Sequence, residues 1–200
     1  MPSAAILAGG RATRFGGLDK GAAIVQGRSI LERQLTELTQ VTNDILYVGA
    51  NPPAEYRQVL QPVADARPGF GPLGGLHAAL GAARDDTVLL IAGDMPFLTA
   101  PFLAFLATIA EADADVDAVV PVTARGTHPL AAVYRKACRP SVEASLLSGQ
   151  RAMRALLEHL HVREIGLQEI AGFGDPERLL ANVNTPADLD RVQWLAGHTR

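Results

Sequence analysis

Between residues 5 and 21 an apolar run leads into a loop, AILAGGRATRFGGLDKG, that holds five glycines (Gly9, Gly10, Gly16, Gly17 and Gly21) together with Arg11, Arg14, Asp19 and Lys20. Glycines let a backbone turn tightly and bring its N–H groups against an anion, and Arg14 and Lys20 add positive charge, so the natural guest is a phosphate. The plain alternative is a solvated glycine-rich loop with scattered charges. Composition favours the first reading: of 18 basic residues, lysine supplies only Lys20 and Lys136. A compact ammonium suits a crowded polyphosphate as a point charge. The loop is not a Walker A sequence, because Gly21 follows Lys20 where serine or threonine is required. A literal G-x-G-x-x-G occurs at Gly69, Gly71 and Gly74, with Asp94 beyond it. A dinucleotide fingerprint must leave a strand directly, however. Here QPVADARP precedes it, Pro62 and Pro68 break any long strand, and Pro72 suits the start of a helix.

Asp94 ends the run TVLLIAGD. It could cap the following turn; beside a triphosphate its carboxylate would be a hard ligand for Mg²⁺, bridging to phosphate oxygens. No G-x-S-x-G is present, and Cys138, in YRKACRP, reads as a packed residue at a helix start rather than a nucleophile. His159 and His161 in EHLHV read as markers of a helix end. In NVNTPADL, Asn182 and Asn184 alternate around Val183, so an extended segment would turn Val183 into the core and both amides to the other side. Alone, the two asparagines could equally satisfy loop backbone groups.

These residues need a scaffold, and the chain supplies one of α/β type. Its 200 residues, 48% hydrophobic and 20% charged, can bury a core and read as one domain over 1–200. Apolar runs of strand length at 3–8, 44–50, 87–93, 116–122 and 130–135 alternate with helical periods near 29–40, 72–84, 99–112, 136–147, 151–160 and 186–195. That alternation predicts a mainly parallel sheet covered on both faces, a Rossmann-like three-layer αβα arrangement in which ligands bind beyond the carboxyl ends of strands. Ser29, Thr99 and Thr185 stand where helix caps belong. A net charge of −3 offers no broad basic field for nucleic acid or an anionic membrane. A single cysteine, no basic leader and no run of apolar residues of spanning length together read as a cytoplasmic protein.

In order along the chain, LAGGRATRFGGLDKG (7–21), GPLGG (71–75), GDMPFL (93–98), HPLAAVYR (128–135) and NVNTPADL (182–189) resemble the signature of the molybdenum cofactor guanylyltransferases, the MobA family. The resemblance implies the nucleoside-diphospho-sugar transferase type of fold. It also implies transfer of GMP from GTP to molybdopterin-bound molybdenum with release of pyrophosphate, the pterin phosphate being the attacking group. Carried over by position, it puts Leu7, Ala8, Gly9 and Gly10 against the nucleotide, Lys20 on its phosphates, Asn51 and Asp65 at base and ribose, and Asp94 on Mg²⁺; the charge of Arg14 would help to shield the phosphates. Asn182 and Asn184 fall on the second-substrate side. His128, before Pro129, is expected to help shape that side. Asp65 could accept from the N1–H and N2–H₂ edge of guanine, or serve only in a turn. Ala12, Phe15 and Gly75 depart from the residues commonest in the family. Proteins that insert molybdenum or accept the product are implied as transient partners.

Other readings remain open at this level. A cytidylyltransferase of the same cofactor or a sugar-phosphate nucleotidyltransferase would use the same loop. An NAD-dependent oxidoreductase would use residues 69–74, and a non-catalytic nucleotide-binding module would keep the loop without the chemistry.

Overall fold

The expected strands carry apolar residues at successive positions, and a strand buried on both faces needs a helical layer on each. The computed structural model describes residues 1–8, 22–65, 67 and 69–197. The chain begins with β1 (Ser3–Leu7), a short hairpin of β2 (Ile24–Val25) and β3 (Arg28–Ser29), α1 (Ile30–Leu38), β4 (Ile45–Val48), β5 (Leu60–Val63) and α2 (Pro72–Ala82). It continues through β6 (Thr87–Ala92), α3 (Ala100–Ala112), β7 (Ala118–Thr123), β8 (Gly126–Thr127), β9 (Ala131–Arg135) and α4 (Arg139–Leu147). The last elements are α5 (Met153–Leu157), β10 (Val162–Ile165), α6 (Leu167–Ala171), α7 (Pro176–Leu179) and α8 (Pro186–Gly197).

Among the described residues the main sheet runs β10-β7-β9-β6-β1-β4-β5, with β8 paired to the end of β7. β1 is parallel to both β4 and β6, β4 to β5, and β10 to β7. β9 lies antiparallel between β6 and β7. The sheet is thus mainly parallel, as expected, with one reversed strand inserted.

Alternation along each strand divides the core cleanly. Ala4 and Ile6, Ile45 and Tyr47, and Leu89 and Ile91 pack on one face with α1, α3, α6 and α7. Ala5, Leu46 and Val48, and Val88 and Leu90 pack on the other with α2, α4 and α5. This is the three-layer arrangement. A third cluster joins Val25 and Ile30 to Phe97, Val183, Val192 and Ala196, and so ties the hairpin and α8 to the segment that follows β6.

Several local expectations are corrected. β5 and β10 form where no strand was expected, and Pro62 lies inside β5. β5 is an edge strand, paired among the described residues only to β4, and an edge tolerates a residue that cannot donate to the ladder. The helix expected at 151–160 is reduced to Met153–Leu157, and the one expected from 136 starts with a 3₁₀ turn over Lys136–Cys138. Ser29 caps α1 as read, its Oγ accepting from the Glu32 N–H at 3.1 Å, a bond worth about 1 kcal/mol. Thr99 stands at the cap of α3 but its side chain accepts no capping bond; Glu37 of α1 accepts instead from the Ala100 N–H, at 2.7 Å. Thr185 and Asp188 cap α8 reciprocally, Thr185 N–H donating to Asp188 Oδ2 at 2.9 Å and Asp188 N–H to Thr185 Oγ1 at 3.1 Å. Desolvation opposes the charged form of Asp188. The bonds from the Thr185 hydroxyl and the Asn184 and Thr185 N–H groups outweigh it and hold the carboxyl below its usual range.

Candidate functional site

From the carboxyl end of β1 the chain runs through α1 to β4, and from that of β6 through α3 to β7, so it leaves these two neighbouring strands in opposite directions along the sheet, while α2, on the other face, carries it from β5 back to β6. Such a switch point opens a crevice beyond the strand ends. The expected site residues that are described stand around it.

Leu7 closes β1 opposite Val48 and Ala92, and Ala8 donates its N–H to Val48 O at 3.0 Å. Both are half-buried at the floor of the crevice. Gly9, Gly10, Arg14 and Lys20 lie outside the described residues. On one side of Leu7, Gly75 brings α2 so close that a Cβ there would sit 2.7 Å from Leu7 Cδ2. On the other, Gly93 donates to Leu7 O at 3.1 Å, and a Cβ on it would stand 3.0 Å from that same oxygen. The two glycines are what allow α2 and the end of β6 to close on the end of β1.

The G-x-G-x-x-G at 69–74 is no dinucleotide turn. Residues 64–68 separate it from β5, and Gly71 is the N-cap of α2, at φ 61° and ψ −142°, a conformation that only glycine adopts readily. Pro72 starts the helix. With no side-chain cap, this N-terminus turns its leading N–H groups and the positive end of its dipole towards the crevice. Asp65 lies beside it: its Oδ1 accepts from the Arg67 N–H at 2.9 Å in an Asx turn, and a Cβ on Gly74 would be 3.1 Å from that oxygen. The turn reading of Asp65 therefore holds for one oxygen of a carboxylate that has two. Asn51 is exposed three residues past β4, on the same edge.

Asp94 follows β6 by two residues and is half-buried, with Oδ1 shielded from solvent. Its carbonyl accepts from the Val183 N–H at 2.9 Å, so the distant NVNTPADL segment docks against the Asp94 backbone. Val183 is fully buried, Asn182 exposed and Asn184 half-buried, the alternation expected of an extended stretch. Among the described residues no cluster of three or more His, Cys, Asp or Glu could hold a metal alone. Mg²⁺ does not require one: it commonly keeps several waters and takes one or two carboxylates together with substrate phosphates, a donor set that Asp94 and a triphosphate would make up.

The remaining candidates separate from this site. Cys138 is buried, and desolvation, with Asp117 adding to it, pushes its thiol up to about 12, as befits a packed and inert residue. His128 lies past β8, its Nε2 2.8 Å from Thr123 Oγ1, and burial lowers its affinity for a proton below the usual imidazole range despite Glu177 nearby. Neither the motifs nor the charge pattern pointed to Gln34 and Glu37. Gln34 carried one available signal, a polar residue among the apolar positions 30, 31, 35 and 38 of a helix face.

A family model described as the MobA-like NTP transferase domain matches residues 4–164. A probable molybdenum cofactor guanylyltransferase of Chloroflexus aggregans is 34% identical over 205 residues, covering 100% of this chain and 97% of that protein. A second, from Peptoclostridium acidaminophilum, is 32% identical over 94% of this chain and 86% of its own length. Among solved structures, molybdopterin-guanine dinucleotide biosynthesis protein A from Archaeoglobus fulgidus superposes with a TM-score of 0.80 at 26% identity, over 98% of each chain.

Proposed function

The chain belongs to the family of MobA-like NTP transferase domains, a family of nucleotidyltransferases, and from that premise we propose that it transfers GMP from GTP to Mo-molybdopterin. The products are the guanine dinucleotide form of the cofactor and pyrophosphate. The observation that carries this reading is the convergence of Leu7 and Ala8, the N-terminus of α2 with Asp65, Asp94, and the Asn182–Asn184 stretch on one crevice.

In this reading the terminal phosphate oxygen of the pterin attacks the α-phosphorus of GTP, a new P–O bond forms, the α–β bridging bond breaks, and its electron pair leaves with pyrophosphate. No protein nucleophile is required. The chain's work is to hold the two phosphates in line and to balance the charge that develops on them. The backbone around Leu7 to Gly10 and the N-terminus of α2 receive the nucleotide, Lys20 and Arg14 serve its phosphates, and Asp65 and Asn51 serve guanosine. Asp94 holds Mg²⁺, which when bound neutralises charge on phosphate oxygens. Asn182 and Asn184 face the pterin substrate.

The direct test is pyrophosphate release from GTP, CTP and ATP, each with Mo-molybdopterin and Mg²⁺. Release with GTP alone supports the reading, and release with CTP alone makes the chain a cytidylyltransferase. A thermal-shift series with the same nucleotides and NAD separates binding from chemistry, because a ligand of the native state raises stability with its concentration. Lys20→Ala is expected to weaken GTP binding and turnover by roughly tenfold or more, the worth of a charge-assisted hydrogen bond, with the melting temperature unchanged. Turnover and affinity equal to the parent protein's would remove Lys20 from the site.

Asn182→Ala and Asn184→Ala are expected to slow transfer to the pterin by about tenfold to a hundredfold, as loss of one or two hydrogen bonds would. GTP affinity should stay within about threefold, under ~1 kcal/mol. The backbone bond from Val183 to Asp94 survives both substitutions, so the segment stays docked. Calorimetric titration with GTP beside the transfer assay decides: joint loss of GTP binding puts the pair in the nucleotide pocket, and undisturbed transfer makes them loop residues.

A further inference from the structure

The turn that carries Asp94 is gripped from outside its own strand. Gln34 on α1 is 2% exposed, and its Nε2 donates to Ala92 O at 2.7 Å and to Met95 O at 3.1 Å. One amide thus ties together the carbonyls on either side of Gly93 and Asp94, at the point where β6 ends. Buried carbonyls need donors, and here a helix side chain provides them. One turn further along α1, Glu37 Oε2 accepts from the Ala100 N–H at 2.7 Å, the first amide of α3. Residues 34 and 37 lie three apart on a helix and so share a face. The same face of α1 therefore holds the start and the end of the segment 93–99, and Val183 adds a third tie through the Asp94 carbonyl.

Gln34 has no comparable use in the core. It interrupts the buried set Ile30, Leu31, Leu35 and Leu38, and its Oε1 is buried with no donor among the described residues. A buried acceptor left in that state costs stability. An apolar residue of similar size would avoid that cost while giving up both Nε2 bonds. The position therefore trades stability for a fixed turn.

We propose that Gln34 is a positioning residue for Asp94: its two hydrogen bonds, seconded by Glu37 at the far end of the segment, hold the Asp94 carboxylate where it meets the phosphates. The inference rests on the proposed role of Asp94, and its test has a readout that does not. Gln34→Met removes both donors and the orphaned acceptor at nearly constant volume, and Gln34→Glu keeps the shape with at most one donor, when protonated.

Amide hydrogen exchange of the peptide covering 93–99 in Gln34→Met should quicken by at least fivefold, while exchange in β1 and β4 stays as in the parent and the melting temperature moves little. In the transfer assay kcat should fall by about tenfold, the GTP KM should stay within threefold, and the Mg²⁺ concentration giving half-maximal rate should rise. Gln34→Glu should recover part of the loss as pH is lowered. Unchanged exchange at 93–99 in both variants overturns the clamp. Quickened exchange with parental kcat and parental Mg²⁺ dependence overturns its service to Asp94. If the parent protein transfers no guanylyl group, the proposed function fails by itself, and the exchange result still decides whether Gln34 fixes this turn. A Gln34→Met chain that does not fold passes the decision to Gln34→Glu, judged by the same measurements.

Discussion

Asp94→Ala is expected to lower kcat for guanylyl transfer by about a thousandfold, roughly 4 kcal/mol of transition-state stabilisation, while GTP binding measured without Mg²⁺ changes less than about threefold. The carboxylate stands at the switch point of the sheet, half-buried, with one oxygen shielded from water. A cation held by that carboxylate would be poorly screened there, and its worth would grow as charge builds on the phosphates. An interaction that strengthens towards the transition state appears in kcat more than in KM. The turn keeps its backbone ties in the variant: Val183 N–H to Asp94 O, Gly93 N–H to Leu7 O, and Gln34 to Ala92 O and Met95 O. Asp94→Asn, which keeps the shape and loses the charge, should fall nearly as far. A Mg²⁺ titration of the transfer rate is the measurement. A variant that retains kcat within tenfold of the parent protein across that titration excludes Asp94 as the metal-holding group.

The second large effect is on stability, at the opposite ends of the strands. Asp44 is 1% exposed and sits at the amino ends of the strands. Its Oδ2 accepts from Ser3 Oγ at 2.6 Å and from the Arg84 N–H at 3.1 Å, and its Oδ1 accepts from Gln61 Nε2 at 2.9 Å, with Arg84 Nε 3.5 Å away. One carboxylate thereby joins β1, β4, β5 and the segment entering β6. Asp44→Ala removes the acceptor of three hydrogen bonds, from the Ser3 hydroxyl, the Arg84 N–H and Gln61, while Ser3 Oγ still accepts from the Arg84 and Asp85 N–H groups at 3.1 and 3.0 Å; at roughly 1 kcal/mol for each lost bond the expected loss is about 3 kcal/mol. The Arg84 side chain is 68% exposed and returns to water, so its ion pair adds little. For a chain of this length the melting temperature should drop by roughly 6–12 °C, with the GTP KM of the surviving folded protein unchanged. Denaturant unfolding checks it. A loss below about 1 kcal/mol would show that water replaces the carboxylate without cost.

Much of this molecule was legible in one dimension. Runs such as TVLLIAG and DILYVGA read as strands covered on both sides, and the Ser29 and Thr185 caps, with the helices they begin, follow from side-chain oxygens placed before apolar periods. The burial of Val183 between Asn182 and Asn184 follows from the two-residue period of an extended chain. The five stretches that resemble the MobA family were readable because each packs its chemistry into adjacent residues. Strand direction was not readable: LAAVYR reads as a strand, but alternation says nothing of which way it runs, and β9 enters reversed between β6 and β7. Pro62 argued against a strand that exists, because only the sheet order reveals that β5 is an edge. The cap of α3 is not Thr99 beside it but Glu37, 63 residues earlier. Gln34 and Asp94 are 60 positions apart, and what joins them is a bond from a helix side chain to two carbonyls. Local rules of propensity and capping act over a few residues and are written in sequence. Backbone carbonyls carry no residue identity, so the partners that hold them are decided only when the sheet brings distant segments within 3 Å of one another.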